Sequence, residues 1–163
     1  MMTGGNRGAA PCLIIVGDPC SDFVRAMVRL SREYQVEAVF CDDVYTAVVA
    51  MARTAGRPSL VVGPIHALAC EGGRFFQIAE GNSLRCCCFL DPRIFEDSVG
   101  MRSAMRAGAA IVGEIGEVHP VFKEWLSTAG YQATRRSLCD LADEDLRATE
   151  AELRALLGQG TDA

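Results

Sequence analysis

Lysine is almost missing from this 163-residue chain: of its 16 basic residues, only Lys123 is a lysine and the rest are arginines. Histidine is nearly as scarce, with only His66 and His119. No apolar run approaches the roughly 18 residues of a membrane-spanning helix, which excludes one. The longest early run, Cys12–Val16, is too short for a signal-peptide core and no small-residue cleavage site follows it, so a cytoplasmic location is expected. There is no C-x-x-C pair and too little histidine for zinc spacing. No G-x-G-x-x-G run and no Walker lysine are present, so the common phosphate-cradling loops are missing.

A basic stripe is also lacking. Residues 1–139 carry 14 acids and 14 bases, whereas residues 140–163 carry seven acids and two arginines, which supply the whole net charge of −5. Nucleic acid and anionic membrane surfaces are therefore poor partners.

What is present is apolar. Half of the residues are hydrophobic and the mean hydropathy is +0.16, enough for a sizeable core in one domain. The eight cysteines (12, 20, 41, 70, 86, 87, 88 and 139) are fewer than a disulfide scaffold carries, and no secretion signal supports oxidation. Cys86-Cys87-Cys88 lies in the run 84–90, which reads as a buried strand whose thiols act as small hydrophobes. Alternation along a strand turns neighbouring thiols to opposite faces, so the three cannot share one metal.

Strand and helix signals alternate after a loose arm at residues 1–10. Strands are expected at 13–16, 36–41, 59–62, 84–90 and 109–112, each a short, nearly continuous apolar run. Between them, Ser21 or Asp22 can cap a first helix carrying Phe23, Met27, Leu30 and Tyr34. Asp42 or Asp43 can cap a second, and a third is expected at 73–80. Asp91-Pro92 is a helix start, with the fourth helix running to Ala107-Gly108 and a break near Gly100. His119-Pro120 opens a fifth helix whose stripe of Phe122, Trp125, Leu126 and Ala129 faces a core. The pattern is a (βα)5 unit, a three-layer α/β domain over residues 11–130 with a parallel sheet covered on both faces. The extension 131–163 adds an acidic amphipathic helix at about 140–157. In it Cys139, Ala142, Leu146, Thr149, Leu153 and Leu156 recur at helical spacing, available to this domain or to a second chain.

Five such units, with Gly108-Ala109 just before the last strand, resemble a response-regulator receiver domain over roughly residues 11–130. The resemblance implies a flavodoxin-like sheet order 2-1-3-4-5 with the site at the carboxyl edge of the strands. It implies an acidic pair after the first strand, a phospho-accepting aspartate ending the third, a hydroxyl after the fourth and a lysine after the fifth. Those positions fall on Gly17-Asp18, on Gly63, on Leu90 or Asp91, and within 113–116. Only Asp18 matches. Gly63 has nothing to phosphorylate, and the single lysine lies elsewhere, at position 123. The resemblance therefore implies a pseudo-receiver, a signalling module acting by protein–protein contact without aspartyl phosphorylation, with no cofactor and no catalytic residue.

Its contact surfaces would be the face made by the fourth helix, fifth strand and fifth helix, carrying Arg102, Arg106 and Trp125, and the tail stripe with Leu146, Leu153 and Leu156. Its partner would be another protein or a second copy of the chain. The alternative is a domain, enzymatic or not, that binds a small ligand or a cation such as Mg²⁺ through Asp18, Asp42, Asp43 and Asp91. Asp42, Asp43 and Asp91 also stand where helix caps belong. His66 and Cys70, one helical turn apart, form a weak Cys–His pair with no third orienting group. A nucleotide or flavin site is disfavoured because the loop 17–22 holds two acids and a proline where phosphate needs free amides.

Overall fold

The computed structural model describes residues 9–82, 84–91, 93 and 98–131. Five parallel strands form one sheet: β1 (Cys12–Val16), β2 (Glu37–Cys41), β3 (Ser59–Pro64), β4 (Arg85–Phe89) and β5 (Ala110–Val112), in the order β2-β1-β3-β4-β5. Six helices are seen among the described residues. They are α1 (Asp22–Glu33), α2 (Val44–Arg53), α3 (Ile65–Leu68), α4 (Cys70–Gly81), α5 (Ser98–Arg106) and α6 (Val118–Thr128). This is the expected three-layer, flavodoxin-like α/β fold.

Alternation along the strands divides the interior into two cores. Cys12, Ile14, Val16, Val61, Cys86 and Cys88 face α2, α3, α4 and α5. Leu13, Ile15, Leu60, Val62 and Cys87 face α1 and α6. The interior strand β1 is fully buried along its length, which is why its sequence is apolar without a break. β2 departs from that expectation. It pairs only with β1, and at this sheet edge Glu37, Ala38 and Phe40 are exposed.

Two helix starts resolve as the chemistry of capping requires. The Ser21 hydroxyl accepts from the Val24 amide at 3.2 Å and caps α1, and the Asp43 carboxylate accepts from the Thr46 amide at 2.7 Å and caps α2. The helix expected at 73–80 belongs to α4. Its regular turns follow a left-handed stretch at Glu71, Gly72 and Gly73, with φ of 56°, 71° and 79°. The short α3 before it was not expected, and α5 is continuous through Gly100. Residues 1–8 of the expected arm, Pro92 and the whole of 132–163, with Leu146, Leu153 and Leu156, lie outside the described residues.

Candidate functional site

In this fold the carboxyl ends of the strands, near the switch between β1 and β3, form the usual ligand crevice. Here Gly17 and Pro64 meet at that point. A Cβ on Gly17 would stand 3.4 Å from Pro64 Cδ, so the proline ring already occupies the space beside the β1 end. Gly17 has φ +142°, a backbone setting few side chains adopt.

Gly63, at the implied phospho-acceptor position, pairs with Cys88 within the sheet and is buried. A methyl group there would lie 3.0 Å from the Val16 carbonyl oxygen, 3.1 Å from Val16 Cβ and 3.3 Å from Leu68 Cγ. The position is therefore a close-packing site between β1 and α3, where any side chain needs Val16 and Leu68 to give way.

The implied lysine position carries the opposite charge. Glu117, ending a 3-10 turn at Ile115–Glu117, folds back so that its Oε2 accepts from the amides of Gly113 at 2.8 Å and Glu114 at 3.1 Å. A carboxylate thus stands over the 113–116 segment, while Lys123 is exposed on α6. Sequence reasoning missed Glu117. The Glu114-x-x-Glu117 spacing ahead of an apolar helix was the available signal.

The four aspartates of the cation reading do not converge. Asp18 Oδ1 accepts from the Cys20 amide at 2.8 Å and closes its own turn. Asp43 accepts from the Thr46 amide and, at 2.8 Å, from its hydroxyl; these bonds hold its carboxyl below the usual range. Asp91 receives the Arg93 guanidinium at 3.2 Å and the Arg93 amide at 2.9 Å, which lower its pKa in that order. Asp42 is exposed beside the cap. Among the described residues no three His, Cys, Asp or Glu side chains form a group able to hold a metal. The four-aspartate cluster is thus corrected to separate local turns and a cap.

His66 lies exposed on α3 rather than in a loop, and no hydrogen bond joins it to Cys70 among the described contacts. Burial first, and Glu71 second, push the Cys70 thiol up, away from the thiolate a nucleophile needs. The strand thiols are further from reactivity still, with Cys86 and Cys87 each pushed up to about 12 by burial.

On the other candidate surface, Arg102 and Arg106 are exposed on α5. Trp125 is not a surface contact. It is 3% exposed, with its ring 5.4 Å from Phe122, because α6 turns its Phe122–Trp125–Leu126 stripe onto the sheet. The stripe reading of that helix stands and the contact reading of Trp125 is withdrawn. In its place the structure exposes two apolar side chains on α5, Val99 at 55% and Met105 at 64%.

No helix of the described residues is long and apolar enough to cross a membrane. No protein-family model matches the chain, and no curated protein matches it in sequence.

Proposed function

We propose that this chain is a pseudo-receiver: a non-catalytic signalling module, related in design to two-component receivers, that works by protein–protein contact without aspartyl phosphorylation. The observation that carries this reading is Gly63, where a side chain would press into Val16 and Leu68. Packing thus opposes a phospho-acceptor there, where the residue type already supplies none. The Glu117 carboxylate over the 113–116 segment supports it, since a negative group there would repel a phosphoryl oxygen. The contact surface is the α5–β5–α6 side with the exposed Arg106, and the partner is another protein or a second copy of the chain. The free thiols of the described cysteines suit a reducing cytoplasm.

The test is thermal melting with Mg²⁺ and beryllofluoride, a phosphoryl mimic, on the full chain and on Asp18→Ala. A ligand bound to the native state at 100 times its dissociation constant would add about 2.7 kcal/mol of stability. The expected result is no shift in either protein. A shift in the natural chain that Asp18→Ala abolishes would establish a working cation and phosphoryl site and overturn the proposal.

A further inference from the structure

The outward face of α2 lacks the charges that its neighbours carry. α1 turns Arg25, Arg29 and Arg32 to solvent, and α6 turns Lys123 and Glu124. From Val44 to Ala52, α2 has no charged residue. Its inward residues, Val44, Ala47, Ala50 and Met51, are buried in the core on that side of the sheet. On its other side Tyr45, Val49 and Ala52 are exposed at intervals of four and three, one apolar stripe at helical spacing. Tyr45 is 58% exposed and Val49 50%. Val99 and Met105 share α5 but, six residues apart, stand about 120° from each other round the helix and make no such stripe. Apolar groups exposed singly are ordinary; an aligned set without a charge among them marks a contact.

The two ends of this face carry opposite charges. Asp42 and Asp43 precede α2, and Arg53 ends it. Glu71 of α4 reaches the first end by accepting from the Tyr45 hydroxyl, and Arg74, exposed one turn along α4, counts against it. Glu80 stands two turns beyond Gly73, on the side where α4 meets Ser103 of α5, away from α2. Beyond Arg53, the Arg57 guanidinium is matched by Glu37. Asp43 is committed to Thr46. That leaves Asp42 and Arg53, both exposed, neither with a hydrogen bond or ion pair among the described contacts. Eleven residues separate them, about 16 Å along the helix, which is too far for the two to pair within one chain.

We infer that two copies of this chain associate through α2, antiparallel across a two-fold axis, with Tyr45 over Ala52 and Val49 against Val49. Parallel copies would set Asp42 beside Asp42 and Arg53 beside Arg53. The antiparallel pair sets each Asp42 beside the Arg53 of the other copy, and symmetry makes that attraction twice. The bond from the Tyr45 hydroxyl to Glu71 already holds the ring, so less freedom is lost on association. α4, packed alongside α2, exposes Ile78 at the rim of the contact. α2 is about 15 Å long and offers less than the roughly 800 Å² per partner of a standard interface, so the dimer is reversible and dissociates on dilution. The inference goes beyond the pseudo-receiver reading: self-association takes α2 and leaves the α5–β5–α6 side to another protein.

The experiment is sedimentation velocity of the full chain from micromolar to submillimolar concentration. The natural chain is expected to pass from monomer to dimer as concentration rises. Val49→Glu, at a position exposed in the single chain, is expected to stay monomeric throughout while melting like the natural protein at low concentration. Asp42→Arg and Arg53→Glu are each expected to weaken the dimer about tenfold, because each sets like charges together at both ends of the contact. An equimolar mixture of those two variants is expected to recover association, since only in the mixed pair does every charge meet its opposite. A mixture no more associated than its components overturns the inference. So does a natural chain that stays monomeric, with α2 then covered from within its own chain or by another protein. A dimer that survives Val49→Glu places the contact elsewhere and also overturns it. A beryllofluoride shift with this association intact would reject the pseudo-receiver reading and leave the α2 contact standing.

Discussion

The two faces of the sheet are packed by opposite means. On the α1/α6 face the buried side chains are large, with no alanine among them. Phe23 stacks on Phe89 at 5.0 Å, Tyr34 meets Phe122 edge-on at 5.4 Å, and Trp125 tilts against Phe122 at the same distance. The Tyr34 hydroxyl and His119 Nε2 complete that wall with a 2.6 Å hydrogen bond. On the other face, half of the buried side chains are small: Ala47, Ala50, Ala69, Ala79 and Ala104 with the thiols of Cys12, Cys41, Cys86 and Cys88, set among Phe75, Phe76 and aliphatics such as Ile14 and Leu68. Small side chains let backbones approach closely, and there Gly63 and Gly73 become structural. A Cβ on Gly73, already at φ +79°, would fall 2.6 Å from Ser103 Cβ, where α4 meets α5. One face is thus sensitive to losing atoms and the other to gaining them. The implied phospho-acceptor position lies on the face that cannot gain.

The largest effect expected from this contrast is at Phe122. Truncation to alanine removes a fully buried ring that contacts both Tyr34 and Trp125, and such losses cost about 3–5 kcal/mol. Urea unfolding of Phe122→Ala should show it as a lower midpoint with an unchanged slope. A loss below 1 kcal/mol would mean that this face collapses to fill cavities. Next comes Gly63→Ala, which adds one methyl group to the other face. Overpacking costs about 1–3 kcal/mol, and Gly63→Asp should exceed it by burying a carboxylate with no partner. If Gly63→Asp melted like the natural chain and accepted a phosphoryl group, both the packing contrast and the proposed function would fail together.

Much of this architecture was readable before the structure. Short, nearly continuous apolar runs placed all five strands, as a parallel sheet covered on both faces favours, and helical spacing placed the stripe of α6. It could not tell that β2 is an edge strand, since Val39, Phe40 and Cys41 read like any buried run until the pairing is known. The α3 turn escaped because four residues carry no period. The aspartates were legible as caps, and Asp43 is one; their separation into unconnected turns depends on side-chain reach, which spacing does not encode. Trp125 shows the converse. Its helical stripe already implied burial, and only the resemblance suggested a contact. Gly63 was legible as a missing acceptor but not as a packing requirement, which needs Val16 and Leu68 brought from distant positions.

The smallest expected difference lies between the helix caps of the two faces. α1 is capped by the Ser21 hydroxyl, which does not titrate in the accessible range, and α2 by the Asp43 carboxylate. The Thr46 amide and hydroxyl hold the Asp43 pKa below the ordinary aspartate value of 3.8. Its contribution is therefore complete above that value and fades as pH falls through the lower pKa of the folded state. Ser21→Ala should cost about 1 kcal/mol at every pH. Asp43→Ala should destabilise the protein at pH 7 and lose that effect progressively as pH falls below 3.8, where the unfolded chain takes up a proton that the folded cap resists. Thermal melting of both variants from pH 7 to 3 measures the difference. Parallel losses at all pH values would mean that the neutral carboxyl caps α2 as well as the carboxylate does, and that only the packing distinguishes the two faces.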